Sequence, residues 1–207
     1  LDIMKKYSIP FLTVSEYSAG KLRNMGLKGF VIHPLPYQLL PAGNKENTII
    51  MVSSQEARKN LEFADKFFHP SVLDRRKYSA VKVGGGLQWA ENRINISDRE
   101  MNELYDKARF LLFPSLDEGF GLPVLEALLH RCIVISNNIP TSREIDMGHD
   151  IIEFIDVKNF DFSKVNKLLE SVEEKKKDYD LWFRDYKQRS ENEVKEFKEY
   201  IDERGWM

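Results

Sequence analysis

The chain has 207 residues, of which 42% are apolar and 31% are charged, and this composition is typical of a globular protein with a buried core. Its 31 lysines and arginines stand against 33 aspartates and glutamates, and the net charge of -2 argues against nucleic acid as the main partner. No apolar run approaches the ~20 residues of a membrane span. The single cysteine, Cys132, excludes an internal disulfide and favours a reducing compartment.

The first segment of the chain, residues 1–47, is predicted to be a partial strand–helix–strand unit followed by a linker. Apolar strands are expected at 10–14 and 29–33, with a short helix between them that Ser15 caps. Residues 38–47 have the polar and proline-containing composition of a linker.

Six short apolar segments follow, each rich in β-branched or aromatic residues as buried strands are. They lie at Thr48–Val52, Tyr78–Val83, Arg93–Ile96, Phe110–Phe113, Cys132–Ile135 and Ile151–Phe154. Helical patterns separate most of them, at Arg58–Phe68, Asp98–Ala108, Leu122–His130 and Thr141–Asp146. Because strands that alternate with helices form a covered parallel sheet, residues 48–162 are predicted to be a doubly wound, six-stranded, Rossmann-like α/β domain.

Residues 163–207 are predicted to be a charged helical tail. Three helices are expected there, at 163–176, 178–188 and 190–203. The aromatic residues of this tail leave two alternatives, either an exposed apolar surface for a partner or a cover for the sheet of their own domain, and the second is favoured. These residues are Trp182, Phe183, Phe197 and Trp206.

The stretch ARFLLFPSLDEGFGLPVLEA, which ends at Ala127, predicts a ligand site at one edge of the sheet. A buried strand ends there at Pro114, and the turn from Gly119 to Gly121 joins it to a helix that begins near Leu122. In open parallel sheets, ligands bind at the carboxyl ends of the strands, and the free amides at a helix start favour an anion such as phosphate. Glycines in the turn let the backbone approach that anion closely.

Two carboxylates flank this turn, Glu118 before it and Glu126 in the helix, with seven residues between them. Carboxylates beside an anion site are unfavourable unless they bind something else. Sugar and ribose hydroxyls are natural partners, because an ionised carboxylate only accepts hydrogen bonds. The pattern therefore predicts a ligand in which a phosphate lies between two polyols, which is the shape of a nucleotide-diphosphate sugar.

These residues resemble the E-x7-E motif of retaining glycosyltransferases of the GT-B fold, in particular of glycosyltransferase family 4. The string EGFGLPVLEA carries the motif, and the family's neighbouring segments resemble VSSQEARKNL at 52–61, KVGGG at 82–86 and SREI at 142–145. The resemblance covers residues 48–160 and extends more weakly to 11–37. It implies the C-terminal, nucleotide-sugar-binding domain of such an enzyme, which is one half of a GT-B fold.

The resemblance implies a role for each matching residue. Glu126 would hold the ribose hydroxyls, Glu118 would lie beside the donor sugar or its phosphate, and Lys59 would neutralise the leaving diphosphate. Lys59 and Glu118 are thus the candidate catalytic residues. The backbone amides that would hold the diphosphate belong to Gly119, Phe120, Gly121 and Leu122.

The chain departs from the family at one position of the donor site. Five residues before Lys59 the family usually has an arginine, and this chain has Ser54. Arg58 either replaces that charge or points to solvent, and the sequence leaves both alternatives open. Backbone groups near Asn95 would face the nucleobase, with no side chain there that specifies the base.

The implied reaction is the transfer of a hexose from a UDP-, GDP- or ADP-sugar, with retention of configuration and with no required metal or other cofactor. The acceptor would be a glycan, a lipid-linked molecule or a protein. Residues 1–47 are too few for a second domain of similar size. Three alternatives follow: the chain is a fragment, a separate N-terminal-type domain or a second copy completes the cleft, or the chain binds the donor without full activity. The alternative is a non-catalytic subunit or binding module that kept this half-fold. The implied location is the cytoplasm, either free or peripheral at the membrane.

Other motifs in the chain do not change this prediction. A dinucleotide fingerprint that starts at Gly84 would need a glycine at position 89, where the chain has Trp89. The D-x-D sequence at 178–180 matches a metal-binding motif of other glycosyltransferase folds, but it lies in the charged tail and is interpreted as a coincidence. The four histidines show no metal-ligand spacing, and a phosphate-type turn between two carboxylates does not suit a glycosidase.

Overall fold

The computed structural model describes residues 2–6, 9–36 and 38–204 of the chain. Its first elements are helix α1 (Asp2–Lys6), strand β1 (Phe11–Thr13), helix α2 (Glu16–Arg23) and strand β2 (Gly29–Val31). Strands β1 and β2 pair in parallel, and β1, α2 and β2 together are termed the N-terminal unit. Ser15 caps α2, as predicted, because its hydroxyl oxygen accepts a hydrogen bond from the Ser18 amide. The sequence pattern did not predict α1.

The larger sheet has six strands. They are β3 (Glu46–Val52), β4 (Ser79–Val83), β5 (Glu91–Arg93), β6 (Ala108–Phe113), β7 (Ile133–Asn137) and β8 (Ile152–Ile155). Their order is β5-β4-β3-β6-β7-β8, and every neighbouring pair is parallel. The predicted six-stranded, doubly wound sheet is confirmed. Because all strands point the same way, their carboxyl ends lie along one side of the sheet, which is termed the carboxyl edge.

Helices cover both faces of this sheet. They are α3 (Leu61–Phe68), α4 (Asp98–Lys107), α5 (Leu122–Leu129), α6 (Pro140–Asp146) and α7 (Val165–Glu173). One core cluster joins α4, α5 and α6 to a sheet face that includes Ile50 and Leu111, and the other joins α3 and α7 to the face that includes Ile49 and Phe110. Neighbouring residues of one strand thus serve opposite cores, as the pleat of a strand requires.

The predicted strand at 93–96 is displaced in the structure, where β5 ends at Arg93. Asn95 has a φ of +54°, in the left-handed region, so the extended backbone cannot continue through it. Within β5, the side-chain amide of Asn92 donates a hydrogen bond to the Leu87 carbonyl in the preceding loop. These two asparagines explain why the strand is shorter and earlier than the pattern predicted.

The charged tail ends in one long helix, α8 (Tyr179–Glu203), of 25 residues. The predicted break between two helices was wrong, because Ser190 continues the helix and its buried hydroxyl donates to the Tyr186 carbonyl one turn earlier. Trp182 is buried in the core, and its indole N–H donates to the Ile145 carbonyl. Trp182 therefore covers its own domain, whereas Trp206 lies outside the described residues. None of the helices in the described ranges combines the length and the apolar character that a bilayer span needs.

The N-terminal unit is joined to the rest of the molecule by an ionic cluster around the buried His33, termed the seam, whose other members are the partly buried Glu144, Arg189 and Glu193. The two ring nitrogens of His33 lie 2.7 Å from Glu193 Oε1 and 3.2 Å from Glu144 Oε2. Arg189 donates to the Glu144 carbonyl at 2.9 Å. Burial opposes the charged imidazolium, but the hydrogen bonds that the ring donates to the carboxylates of Glu144 and Glu193 outweigh it and raise the pKa of His33.

Candidate functional site

A strand–turn–helix at the carboxyl edge forms the centre of the candidate site. Gly121 has a φ of +106° and caps α5, and only glycine adopts this backbone conformation at low cost. Phe120 beside it is buried in the core, which anchors the turn from below. Pro123 fits the first turn of α5, because an amide there would have no acceptor within the helix. The sequence thus builds a rigid turn whose backbone faces the edge.

Glu118, which precedes the turn, is a buried carboxylate held by two cations. Its Oε1 lies 2.6 Å from Nζ of Lys59, and its Oε2 lies 2.7 Å from Nη1 of Arg58. The side chain of Glu118 is 7% exposed and that of Lys59 is 11% exposed. The structure therefore brings Glu118, Lys59 and Arg58 together, and Arg58 faces the site instead of pointing away from it.

The two cations are placed by a short 3₁₀ turn, Ala57–Lys59, after β3. Asn60 follows with a φ of +56°, so α3 begins at Leu61, three residues later than the sequence pattern predicts. The loop after β3 is bonded to the loop after β6, since the Leu116 amide donates to the Arg58 carbonyl at 2.8 Å. Neither loop can move far without the other, which fixes the Lys59–Glu118 contact.

Ser54 carries no charge, and it acts on the site through a neighbouring acid. Its exposed hydroxyl donates to Glu56 Oε1 at 2.7 Å, and Glu56 Oε2 accepts from Nε of Arg58 at 2.8 Å. Hydrogen bonds from Ser54 and then from Arg58 hold the pKa of Glu56 below its usual value. Arg58 is therefore shared between two carboxylates, Glu56 and Glu118.

Lys82 of β4 is a buried lysine beneath the same edge. It is 0% exposed, and its ammonium donates to the carbonyls of Ser53 and Val83, both at 2.5 Å. Sequence reasoning placed Lys82 in the KVGGG segment but assigned it no role in the site. The signal was a lysine inside a run of apolar residues, since central parallel strands are buried on both faces. Glu56, Arg58, Lys59, Lys82 and Glu118 are together termed the edge cluster.

Glu126 lies on α5 and takes a different partner from Glu118. The Tyr105 hydroxyl on α4 donates to Glu126 Oε2 at 2.9 Å. Burial, and then the charge of Glu126, hold the pKa of Tyr105 well above its usual range, so the hydroxyl keeps the proton that it donates. Tyr105 also stacks on the His130 ring, with centroids 5.3 Å apart. Sequence reasoning missed Tyr105, whose polar tip on an apolar helix face was the available signal.

Two serines of the N-terminal unit hold the Gly119–Phe120 peptide, which precedes the predicted anion-binding amides of Gly121 and Leu122. The Gly119 carbonyl accepts hydrogen bonds from the hydroxyls of Ser15 and Ser18, at 2.6 and 3.1 Å. Because a trans peptide points its N–H opposite to its C=O, the Phe120 amide is directed away from α2. The amides of Gly121 and Leu122 precede the first acceptor within α5, so they remain open to an anion.

Three hydroxyl oxygens at this edge are buried without a hydrogen-bond partner among the described residues. They are Ser53 Oγ after β3, Ser115 Oγ after β6 and Thr141 Oγ1 in the first turn of α6, after β7. Buried polar atoms are normally bonded, and exceptions call for a ligand or a water molecule. Since β3, β6 and β7 are neighbours in the sheet, the three hydroxyls mark one continuous stretch of the edge.

Asn95 is exposed and lies beside the turn after β4, because the methyl of its neighbour Ile94 is 3.3 Å from where a Cβ on Gly85 would stand. In the sheet, β5 and β6 are three strand spacings apart, which is about 14 Å. Asn95 therefore lies at the β5 end of the carboxyl edge, and the Glu118 loop lies near its middle. An extended ligand would be needed to reach both.

No cluster of three or more metal-ligating side chains occurs in the described part of the chain. The D-x-D sequence serves α8 instead. Asp178 caps that helix by accepting from the Leu181 amide, and Asp180 pairs with Arg131 at 3.0 Å. Both acids thus have structural partners, which agrees with the interpretation of the motif as a coincidence.

Comparisons with known proteins give this site a family. A family model described as glycosyl transferases group 1 matches residues 46–170. The chain is 47% identical over 160 residues to the serotype-specific mannosyltransferase WbdA of Escherichia coli, and 44% identical over 117 residues to the O-antigen chain mannosyltransferase RfbU of Salmonella typhimurium. These matches cover 68% and 49% of this chain but 19% and 32% of the relatives, so the chain spans less than a third of their length.

Two solved structures share the fold at low sequence identity. The pneumococcal O-GlcNAc transferase GtfA, in complex with UDP and GlcNAc, has a TM-score of 0.69 and 13% identity over 93% of this chain and 44% of that chain. WaaG, a glycosyltransferase involved in lipopolysaccharide biosynthesis, has a TM-score of 0.61 and 13% identity over 87% of this chain and 58% of that chain. The matched family model covers more than half of the chain and contains the edge cluster, and the chain therefore belongs to the group 1 glycosyltransferases, with the fold of one half of a GT-B enzyme.

Proposed function

We propose that this chain binds the donor in a glycosyltransferase that moves a hexose from a nucleotide-diphosphate sugar to an acceptor, with retention of configuration. The observation that carries the proposal is the carboxyl edge at α5. There a buried Lys59–Glu118 pair lies beside helix amides that are open to an anion. The two relatives named as mannosyltransferases favour mannose as the hexose.

In this proposal, the residues around the turn stabilise the leaving group. As the bond between the sugar and the diphosphate breaks, negative charge grows on the diphosphate. Lys59 and the amides of Gly121 and Leu122 would stabilise that charge, and groups fixed in advance do so most effectively. Glu118 and its loop hold the Lys59 ammonium in place, so the cation needs little rearrangement when the charge develops.

Glu126 is proposed to bind the ribose of the donor. Its Oε2 already accepts from the Tyr105 hydroxyl, which orients the carboxylate and leaves Oε1 for a ribose hydroxyl. Glu118 precedes the turn and Glu126 follows it. Together they would hold the sugar and the ribose of the donor in a fixed orientation. No cofactor other than the UDP-, GDP- or ADP-sugar itself is part of the proposal.

The acceptor is proposed to bind outside the described residues, on a separate N-terminal-type domain or on a second copy of the chain. The acceptor would be a glycan, a lipid-linked molecule or a protein. The buried free thiol of Cys132 supports a reducing compartment, and we propose the cytoplasm or its membrane surface. The second candidate is a binding module without turnover, and the uncharged Ser54 at the edge cluster is the observation that favours it.

Calorimetric titration with UDP, GDP and ADP tests the proposed donor site. We expect one nucleotide to bind and the Glu126→Ala variant to lose at least tenfold in affinity. The matched control is Glu103→Ala on α4, whose exposed carboxylate pairs with Arg99 and should not affect binding. Binding of none of the three nucleotides by folded protein would contradict the proposal. Binding of a nucleotide sugar without release of nucleoside diphosphate, in the presence of cell extract acceptors, would favour the binding module.

A further inference from the structure

The charges of four side chains in the edge cluster sum to zero. Arg58 and Lys59 contribute two positive charges, and Glu56 and Glu118 contribute two negative charges. Each cation is bonded to at least one of these carboxylates, at distances of 2.6 to 2.8 Å. A diphosphate brings two or more negative charges of its own. These four side chains therefore supply no net positive charge to attract it.

Lys82 is the fifth member of the edge cluster, and its ammonium contacts neutral acceptors. The carbonyls of Ser53 and Val83 accept its hydrogen bonds, so its charge is not cancelled by an acid. The backbone of Gly84 passes directly over it, since a Cβ at Gly84 would lie 3.2 Å from the Lys82 nitrogen and 2.2 Å from the Ser53 oxygen. The ammonium therefore lies directly against the backbone of Ser53 and Gly84.

We propose that Lys82 supplies the net positive charge of the diphosphate site, and that it acts from beneath the edge through the backbone of Ser53 and Gly84. This inference rests on the proposed donor-binding function. A buried charge acts over several ångströms, because the protein around it screens less than water does. By holding the ends of β3 and β4 together, Lys82 also fixes the loop that starts at Ser53 and carries Arg58 and Lys59. Lys82 is thus a positioning residue.

The charge of Lys82 should depend on pH in the range where binding is measured. Burial, and to a smaller extent the charge of Lys59, lower the pKa of Lys82 to about 8. The groups that face it are the carbonyls of β3 and β4 and, from the 3₁₀ turn, Lys59 with its partner Glu118. A bound diphosphate favours the protonated lysine. Binding near pH 8.5 should therefore take up a proton, and affinity should fall as pH rises above about 8.

Calorimetry in two buffers of different protonation enthalpy tests this inference. The ligand is whichever of UDP, GDP and ADP binds, at pH 8.5, where its phosphates are already ionised. We expect the wild type to take up about half a proton. Lys82→Met should bind at least tenfold more weakly, take up no proton and show a flat affinity between pH 7.5 and 9.5. Lys82→Arg should recover affinity without the proton uptake.

The matched control is Lys45→Met, because Lys45 also donates to a backbone carbonyl, that of Tyr105, but precedes β3 at the opposite edge of the sheet. It should keep the wild-type affinity and proton uptake. If the wild type binds but takes up no proton, or if Lys82→Met equals it in affinity and pH profile, the Lys82 inference is overturned and the donor site stands. If the wild type binds none of the nucleotides, both proposals fail. The wild-type measurement decides even if a variant does not fold.

Discussion

Two ionic clusters of this molecule, the seam and the edge cluster, are built from similar side chains and differ in charge balance. When His33 is protonated, it and Arg189 balance Glu144 and Glu193 in the seam, two positive charges against two negative ones. In the edge cluster, three cations meet two carboxylates. The hydroxyls after β3, β6 and β7 that have no partner within the described part of the chain lie on the carboxyl edge as well.

The difference separates a structural cluster from a binding cluster. A buried charge costs free energy unless an opposite charge or a set of hydrogen bonds compensates it. The seam balances its charges within the chain, although Nε and Nη2 of Arg189 have no hydrogen-bond partner among the described residues, and it joins the segment after β2 to α6 and α8. The edge cluster leaves one charge in excess, and an anionic ligand would compensate it. Four substitutions test this difference, and we expect their effects to decrease in the order Glu118, His33, Ser15 and Tyr105.

Glu118→Gln breaks the edge cluster by raising its excess to two positive charges. Because Lys59 and Arg58 would lose a buried counter-charge, we expect the free energy of unfolding to fall by about 3 kcal/mol. Urea denaturation followed by circular dichroism measures this change. Asp117→Asn is the control, since its carboxylate is half-exposed and pairs with Lys21 at 3.5 Å, and it should cost less than about 0.5 kcal/mol. Equal losses in the two variants would contradict the comparison.

His33→Gln breaks the seam instead. A raised native pKa means that His33 stabilises the fold fully below its unfolded value of 6.5, and that this contribution is lost as pH rises through the native value. We expect the variant to lose roughly 2 kcal/mol near pH 6 and less near pH 8. Urea denaturation at both pH values measures the difference. His69→Gln, which leaves the seam intact, should keep the wild-type pH dependence. A loss that is independent of pH would show that His33 acts by packing alone.

Ser15→Ala tests the contact between the N-terminal unit and the Gly119–Gly121 turn, because Ser15 links the two. The change removes the cap of α2 and the hydrogen bond to the Gly119 carbonyl. We expect the free energy of unfolding to fall by about 1 to 2 kcal/mol. Thermal denaturation measures the loss. Ser15→Thr keeps a hydroxyl oxygen and should recover most of it, whereas a Thr variant as unstable as the Ala variant would contradict the assignment.

Tyr105→Phe should have the smallest effect, and only on ligand binding at the edge. Loss of the hydroxyl that orients Glu126 is worth about 0.8 kcal/mol, or roughly a fourfold loss of nucleotide affinity. Calorimetry with the nucleotide that binds measures it. The control is Tyr78→Phe, since the buried Tyr78 hydroxyl has no partner among the described residues and lies just before β4, at the opposite edge. A similar loss in both variants would remove the orienting role.

The sequence predicted what depends on local patterns. Phe110–Phe113 lies within β6, because a central parallel strand is buried on both faces and appears in the sequence as an apolar run. Bends that depend on one backbone angle were not predictable in this way. Asn60 and Asn95 adopt the left-handed region and shift the start of α3 and the end of β5, and an asparagine in a short window is equally compatible with a helix or a loop.

Local sequence patterns also could not predict contacts between side chains that are distant in the sequence. The E-x7-E spacing identified Glu118 and Glu126, but it could not show that the first meets two cations and the second a tyrosine on α4. The role of Lys82 was missed for a related reason. Its acceptors are backbone carbonyls, which every residue has, so the sequence does not show which of them it bonds. Local patterns show the periodicity of single helices and strands. The edge cluster instead forms because the strand order places the ends of β4, β3 and β6 side by side.

The seam also constrains the order in which the chain can fold during synthesis. The His33 amide donates to the Glu193 carboxylate across 160 positions. A ribosome therefore releases the N-terminal unit long before α8 exists, and a two-stranded sheet such as β1–β2 is marginally stable by itself. A nascent chain paused before α8 would expose this unit to chaperones and proteases. Residues of the N-terminal unit thus reach their full set of native contacts only after α8 has been synthesised.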